Sequence, residues 1–369
     1  MDFDFNQEQY MFQETLRGVL ETVRSMETLR SGADASGLWQ ALAETGVFAM
    51  VVPEDAGGMG LGFTDLALVF EEFGRYLVPA EVSVAIQATA LLARHGQGAQ
   101  RSLLSQLATG AARLTMALAE AGSTTPDHIG LTAVRDGSGW RVSGEKLLVP
   151  GDDTVGGLVI SLQLEGLGPR LVLVERGRPG LVLTPAETLD LSGKWCGLKL
   201  DGLRIEEADL LGQAEAVVEA FDVACALSSL VMTGIASRML DEAVTYIGQR
   251  RQFDRFIGSF QAIKHRAADM AVALDASRSA AYFAAWAVDE AAADERARSV
   301  SMAKSWCGEQ ARFVVNQSLQ LHGGIGFTWE LGLHLFLRRL KVEEALHGDG
   351  DWHRERVIAQ AVRALGNAA

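Results

Sequence analysis

Two stretches of this chain carry residue types that could grip a phosphate-bearing ligand. The first, Gln249-Arg250-Arg251-Gln252-Phe253-Asp254-Arg255, runs on to Gly258-Ser259-Phe260-Gln261. It gathers three guanidinium groups and an amide around one aromatic ring. Guanidinium forks match phosphate oxygens, so the pattern suits a pyrophosphate or an adenine-ribose unit. The second is Gln320-Leu321-His322-Gly323-Gly324-Ile325-Gly326-Phe327. Its glycines bare the backbone so that a ligand can come close. Each stretch has a plainer alternative. The arginines could pair with carboxylates at a solvated helix end, and the glycines could form a helix C-cap with its connecting turn.

A third stretch, His347-Gly348-Asp349-Gly350-Asp351-Trp352-His353, is the densest in titratable groups. Two His and two Asp could ligate a metal. No defined ligand spacing is matched, and Asp351 is explained as the cap of a last helix, so no metal is expected. A general base fits better. His347 or Asp349 could serve if burial tunes its pKa, and the preceding helix would aim it at the glycine-rich turn. Glu343 and Glu344 on that helix are alternative bases, although helix carboxylates are usually solvated. No Ser-His-Asp or Cys-His arrangement is legible.

These stretches need elements to position them. At 369 residues the chain exceeds one comfortable core, and two or three subdomains are expected. A net charge of −14 opposes any general role on nucleic acid, though not one local basic site. Cys196, Cys225 and Cys307 are too scattered for a disulfide framework and read as small buried side chains. No basic stretch followed by an apolar run opens the sequence, so secretion is not expected. The longest uncharged run, Val223 to Ser237, is too short to span a bilayer. It predicts a helix buried on most sides, and the expected address is cytoplasmic.

All seven prolines lie at or before Pro185, so the proline-free last half should be long helices. Asn6 predicts a helix start, followed by an apolar stripe at Phe12, Leu16, Val19 and Val23. Further helices are predicted near 36–45, 64–76, 80–95 and 98–109. The glycines of Pro53 to Gly62 do not match a dinucleotide fingerprint and read as a loop. From about Leu114 to Leu211, short Val- and Leu-rich runs separated by Gly or Pro predict an antiparallel barrel or sandwich. Two helices of roughly thirty residues, joined near Asp294, complete a helical–β–helical order.

Taken together, the chain resembles an acyl-CoA dehydrogenase over nearly its full length. Arg250-Arg251-Gln252-Phe253 matches the family's Arg-x-x-Phe stretch, which reaches the FAD of a neighbouring subunit. Gln320 and Gly323-Gly324-Ile325-Gly326-Phe327 match its Gln-x-x-Gly-Gly-x-Gly-Phe stretch, on the adenosine and pyrophosphate side of FAD. Leu240-Asp241-Glu242-Ala243 and Gln261 fall in register. The resemblance implies an α+β fold with an N-terminal helical domain (1–112), a middle antiparallel β-barrel (113–212) and a C-terminal four-helix bundle (213–369). It implies a homo- or hetero-oligomer, dimer or tetramer, with FAD near the subunit interface. Arg250, Gln252, Phe253, Gln320, Gly323 and Gly324 would touch that FAD. The implied reaction is α,β-dehydrogenation of an acyl-CoA thioester, in which a carboxylate removes the α-proton and the β-hydrogen leaves as hydride to the flavin. An electron-transfer flavoprotein or oxygen would take the electrons.

Several positions depart from the family pattern. The usual base is a Glu directly before a Gly; here His347 precedes Gly348. The alternative position for that Glu is Ala224. The flavin-side Thr-Glu reads Ala119-Glu120, Trp-Ile-Thr reads Leu148-Val149-Pro150, and Asp254 stands where Gly is usual. In this the chain is similar to the small or second subunits of heteromeric enzymes, such as the pimeloyl-CoA dehydrogenase small subunit, which often carry x-Gly-Asp. That similarity implies Asp349 as first choice of base and His347 as second. It equally implies a structural subunit that completes the FAD site of a catalytic partner.

Overall fold

The computed structural model describes residues 5–31 and 36–367, and its first helix begins where Asn6 predicts. Asn6 Oδ1 accepts from the Gln9 N–H at 2.9 Å, and Gln9 Oε1 accepts from the Asn6 N–H at 2.7 Å. This capping box starts α1 (Gln7–Val23), which buries Leu16 and Leu20. The remaining N-terminal helices are α2 (Met26–Ser31), α3 (Ser36–Thr45), α4 (Ala67–Arg75), α5 (Ala80–His95) and the short α6 (Leu104–Ala108). The run at 98–109 starts as a 3-10 helix over Gly98–Leu103, with Gly98 at positive φ, and becomes α-helical only at Leu104.

Eight strands follow: β1 (Leu114–Ala117), β2 (Thr132–Asp136), β3 (Gly139–Pro150), β4 (Gly157–Leu164), β5 (Gly168–Glu175), β6 (Leu181–Ala186), β7 (Trp195–Ile205) and β8 (Leu210–Leu211). They form one sheet ordered β6-β7-β3-β2-β4-β5-β8, with β1 added on β4. The sheet is antiparallel except at β4, which pairs in parallel with both β1 and β2. The crossovers that return to β4 are too long for hairpins, which is why simple strand–turn–strand reasoning misses them. The sheet wraps its own core of Trp140, Val142, Leu158, Ile160, Val172 and Leu198.

Beyond the sheet run α7 (Ala214–Gln249), a hairpin of β9 (Arg251–Gln252) and β10 (Arg255–Phe256), α8 (Gln261–Glu290), α9 (Ala293–His322), α10 (His334–Ala345) and α11 (Gly350–Asn367). Helix α7 is long enough to cross a membrane, but 89% of its most apolar window is buried in the fold. That is the position of a core helix. Its hydroxyls are satisfied internally: Ser229 donates to the Cys225 carbonyl at 2.7 Å and Thr233 to the Ser229 carbonyl at 2.8 Å. Helix α4 crosses α7 at two glycines. A Cβ at Gly74 would lie 2.0 Å from the Val231 carbonyl, and one at Gly234 would lie 1.9 Å from the Glu71 carbonyl. This contact draws α4 against the middle of α7.

Candidate functional site

The arginine stretch caps the end of α7. The Arg250 N–H donates to the Tyr246 carbonyl at 2.8 Å, and the chain turns at once into the β9–β10 hairpin. Phe253 (φ 52°) and Asp254 (φ 63°) occupy its two-residue turn. Both central residues in the left-handed region define the tight hairpin turn that matches strand twist. An Asp tolerates that conformation, at the position where the resemblance leads one to expect Gly. Phe253 is left 85% exposed. The Arg251 guanidinium lies over the Phe256 ring at 5.0 Å and donates to the Asp254 carbonyl at 2.9 Å. Arg255 lies over the Phe260 ring at 3.8 Å. Among the described residues, no carboxylate forms an ion pair with Arg250, Arg251 or Arg255. On so acidic a chain, the plain reading of a helix end saturated with salt bridges fails.

The glycine stretch caps α9 beside it. His322 stacks on Tyr246 at 4.6 Å between ring centroids, so the ends of α7 and α9 are pinned together. Gly323 takes φ 63° and ψ −143°, a conformation open essentially to glycine alone. Gly326 is needed for packing, since a Cβ there would sit 2.7 Å from the Leu319 carbonyl. Gly324 has neither reason: its φ is ordinary and nothing lies within 4 Å of an added Cβ. Gln320 is exposed on the same turn. The structure therefore brings Arg250, Gln252, Phe253, Gln320, Gly323 and Gly324 to one end of the bundle. That end offers guanidinium groups without carboxylate partners and open backbone, which fits the diphosphate of a dinucleotide.

The titratable loop lies elsewhere. His347 faces Phe221, near the start of α7, edge-on at 6.0 Å. From Ala224 to Arg250 along α7 is roughly 40 Å at the helical rise of about 1.5 Å per residue. The expectation that α10 aims a base at the glycine-rich turn is thus incorrect: the two sit at opposite ends of α7. What His347 borders is a narrow cavity between α4, α5, α7, the sheet and the α10–α11 loop. Its open space is about 60 Å³ for the centre of a water-sized sphere, several water positions' worth. Phe70, Val84, Met116, Leu227 and Val231 give it an apolar body, and Ala119, Leu148, Pro150 and Ala224 line it as well.

Each proposed base has a definite place. Asp349 is exposed and outside the cavity; its Oδ1 accepts from the Trp352 N–H at 2.9 Å. It, not Asp351, caps the last helix, and Asp351 pairs with Arg354 at 2.5 Å. Glu344 is only partly exposed and is held by Lys341 at 2.7 Å and Arg312 at 3.4 Å. Glu343, expected to be solvated, is buried on the other face of α10 and borders the cavity. Its carboxylate accepts from Ser228 Oγ at 2.6 Å and Arg339 Nε at 2.8 Å. Arg339 is itself bound to Asp190 at 3.2 Å.

His347 keeps a left-handed backbone (φ 62°). Its carbonyl accepts from His353 Nε2 at 2.9 Å, and Lys304 Nζ donates to the Glu343 and Gly348 carbonyls at 2.8 and 3.4 Å. Burial, seconded by the Lys304 charge, pushes the His347 imidazole down to about 3. It is neutral and only weakly basic. Among the described residues, four of the five non-glycine positions with positive φ fall at these two places: Leu148 and His347 at the cavity, Phe253 and Asp254 at the hairpin. Such strain collects at working sites. Sequence reasoning missed Arg339, Trp195 and Ser83, which also line the cavity. They come from three separate elements, and no local spacing could have gathered them.

Comparison with known proteins fits this geometry. Residues 6–111 match the family description "Acyl-CoA dehydrogenase, N-terminal domain", and residues 214–362 match "Acyl-CoA dehydrogenase, C-terminal domain". The chain is 29% identical to an acryloyl-CoA reductase (NADH) from Anaerotignum propionicum, over 98% of this chain and 96% of that one. A solved variant of the Tcur3481-Tcur3483 steroid ACAD is 32% identical over 98% of this chain and 99% of that one, with a TM-score of 0.89. The ChsE4-ChsE5 complex from Mycobacterium tuberculosis is 25% identical, with coverage of 98% and 99% and a TM-score of 0.89. The chain belongs to the acyl-CoA dehydrogenase family. Its members are oxidoreductases of CH–CH donors, and their redox cofactor is FAD.

Proposed function

We propose that this chain is one subunit of a heteromeric FAD-dependent acyl-CoA dehydrogenase, and that its arginine–glycine end completes an FAD site shared with a neighbouring subunit. One observation carries the reading. The cofactor-gripping end and the cavity lie about 40 Å apart along α7, too far for one dinucleotide to engage both within this chain. In this reading Arg250 and Gln252 hold the diphosphate side, Phe253 packs on the partner, and the open backbone at Gly323 and Gly324 receives the adenosine side. FAD, when bound, accepts the β-hydrogen of the acyl group as hydride. The two relatives solved as pairs, Tcur3481-Tcur3483 and ChsE4-ChsE5, support a heteromer.

The cavity supports an acyl-binding role without a strong base of its own. Glu343 is held by Arg339 and Ser228, Asp349 is outside, and His347 is neutral and weakly basic. A catalytic carboxylate therefore comes from the partner. A second reading keeps chemistry on this chain, because His347 does border the cavity. Co-purifying the chain with a partner dehydrogenase subunit tests the first reading. The expected complex is yellow and bleached by acyl-CoA, and Arg250→Ala lowers its FAD content at least severalfold without changing acyl-chain preference. Full FAD retention by the variant sinks the shared-site reading.

A further inference from the structure

The cavity holds a chemical asymmetry that the family assignment does not account for. Trp195, the first residue of β7, is 2% exposed and spans from Ala80 at the start of α5 to Leu346 beside His347. Its indole N–H has no hydrogen-bond partner among the described residues. Ser83, one turn along α5 from Ala80, has a buried hydroxyl that is equally unpartnered there. Both side chains line the cavity. A buried donor left unpaired costs about 1–3 kcal/mol. Two unpaired donors on residues lining one cavity leave it short of an acceptor oxygen.

The remaining polar groups narrow the class of ligand. Among the described residues, the only cation lining the cavity is Arg339, and it is already neutralised by Glu343 and Asp190. Ser228 and Gln87 are likewise spent, on Glu343 and on the Ala220 carbonyl at 2.7 Å. A ligand carboxylate would meet the Glu343 carboxylate and no free cation. An ammonium would find the Glu343 carboxylate already held by Arg339 and Ser228, and no acceptor in the Trp195 indole. A neutral oxygen on an otherwise hydrocarbon body satisfies the unpaired donors.

We infer that Trp195 Nε1 and Ser83 Oγ are specificity determinants that select an acyl group bearing a neutral acceptor oxygen, a ketone or hydroxyl, over a plain hydrocarbon chain or one ending in a carboxylate. The inference rests on the acyl-binding role proposed for this cavity.

Unreactive CoA thioethers test it by calorimetry on the co-purified holo-complex. The probes are S-hexyl-CoA, S-(5-oxohexyl)-CoA and S-(5-carboxypentyl)-CoA. The expected order is oxohexyl tightest, by roughly tenfold over hexyl, with carboxypentyl weakest. Trp195→Phe keeps the ring and removes the donor, and should bring oxohexyl to within about twofold of hexyl. Ser83→Ala, which removes one atom from a helix surface, should shrink the preference and keeps the test open if the Trp195 variant does not fold. Equal affinity for hexyl and oxohexyl, as expected if a fixed water already satisfies both donors, overturns this inference alone. So does a preference that survives both substitutions, or tightest binding of the carboxylate. If none of the three binds, the acyl-site reading fails and takes the inference with it.

Discussion

Asp349 and His347 show how residue type and residue role part company. Both sit in one loop, yet Asp349 spends its carboxylate on the α11 amide at Trp352 while His347 turns to the cavity. Asp349→Ala should cost about 1 kcal/mol of stability, the usual value of a lost helix cap. Acyl-CoA-dependent dye reduction by the complex should stay within about twofold for Asp349→Ala and for His347→Gln alike. A large loss of kcat in the His347 variant alone, with a pH profile to match, would return the base to this chain. His353 is a separate matter of stability. Burial first, then the Lys304 charge, pushes its imidazole down to about 2, against an ordinary value near 6.5. The folded state thus favours neutral His353, and the unfolded chain takes up the proton first as pH falls. Its contribution is complete above about pH 6.5 and fades below it, by about 1.4 kcal/mol per pH unit. His347, pushed down likewise, adds a similar share, so urea unfolding between pH 7 and 5 should show about twice that slope and His353→Gln should cut it by about half.

At the scale of elements, the three glycines after α9 look alike in sequence but answer to different constraints. Gly323→Ala forces a strained backbone and should cost about 1–3 kcal/mol, seen as a lower Tm. Gly324→Ala meets nothing in this chain. It should leave the Tm unchanged and weaken FAD retention, because only an approaching ligand would feel the new methyl. An unchanged FAD content in a well-folded Gly324→Ala variant would argue that the turn is merely a connector. The absence of proline after Pro185 predicts long helices, and α7, α8 and α9 are long. Periodicity says nothing of which ends meet. The Tyr246–His322 stack makes that pairing, and it also separates the glycine turn from the His347 loop that sequence reasoning had placed opposite it.

At the scale of the whole molecule, the division of labour depends on distance. Two regions at opposite ends of a 36-residue helix serve one chemistry only if subunits are arranged so that the end of one meets the cavity of another. Mixing the Arg250→Ala chain with a wild-type partner should therefore give a complex that assembles at the wild-type mass and yet holds severalfold less FAD. Loss of assembly instead would make Arg250 an interface residue. The sequence alone determined the helical–β–helical order, through proline placement and the change of apolar period, because those signals are local and repeat along the chain. It also picked out the two candidate cofactor-binding stretches, since three guanidinium groups cluster in one and the glycines in the other. Tertiary structure alone decided the cavity. Ser83, Trp195, Ser228, Arg339 and Glu343 are distant in sequence and unremarkable in spacing, and only the packing of α5, α7, α10 and the sheet strips them of water and sets which of them remain unpaired.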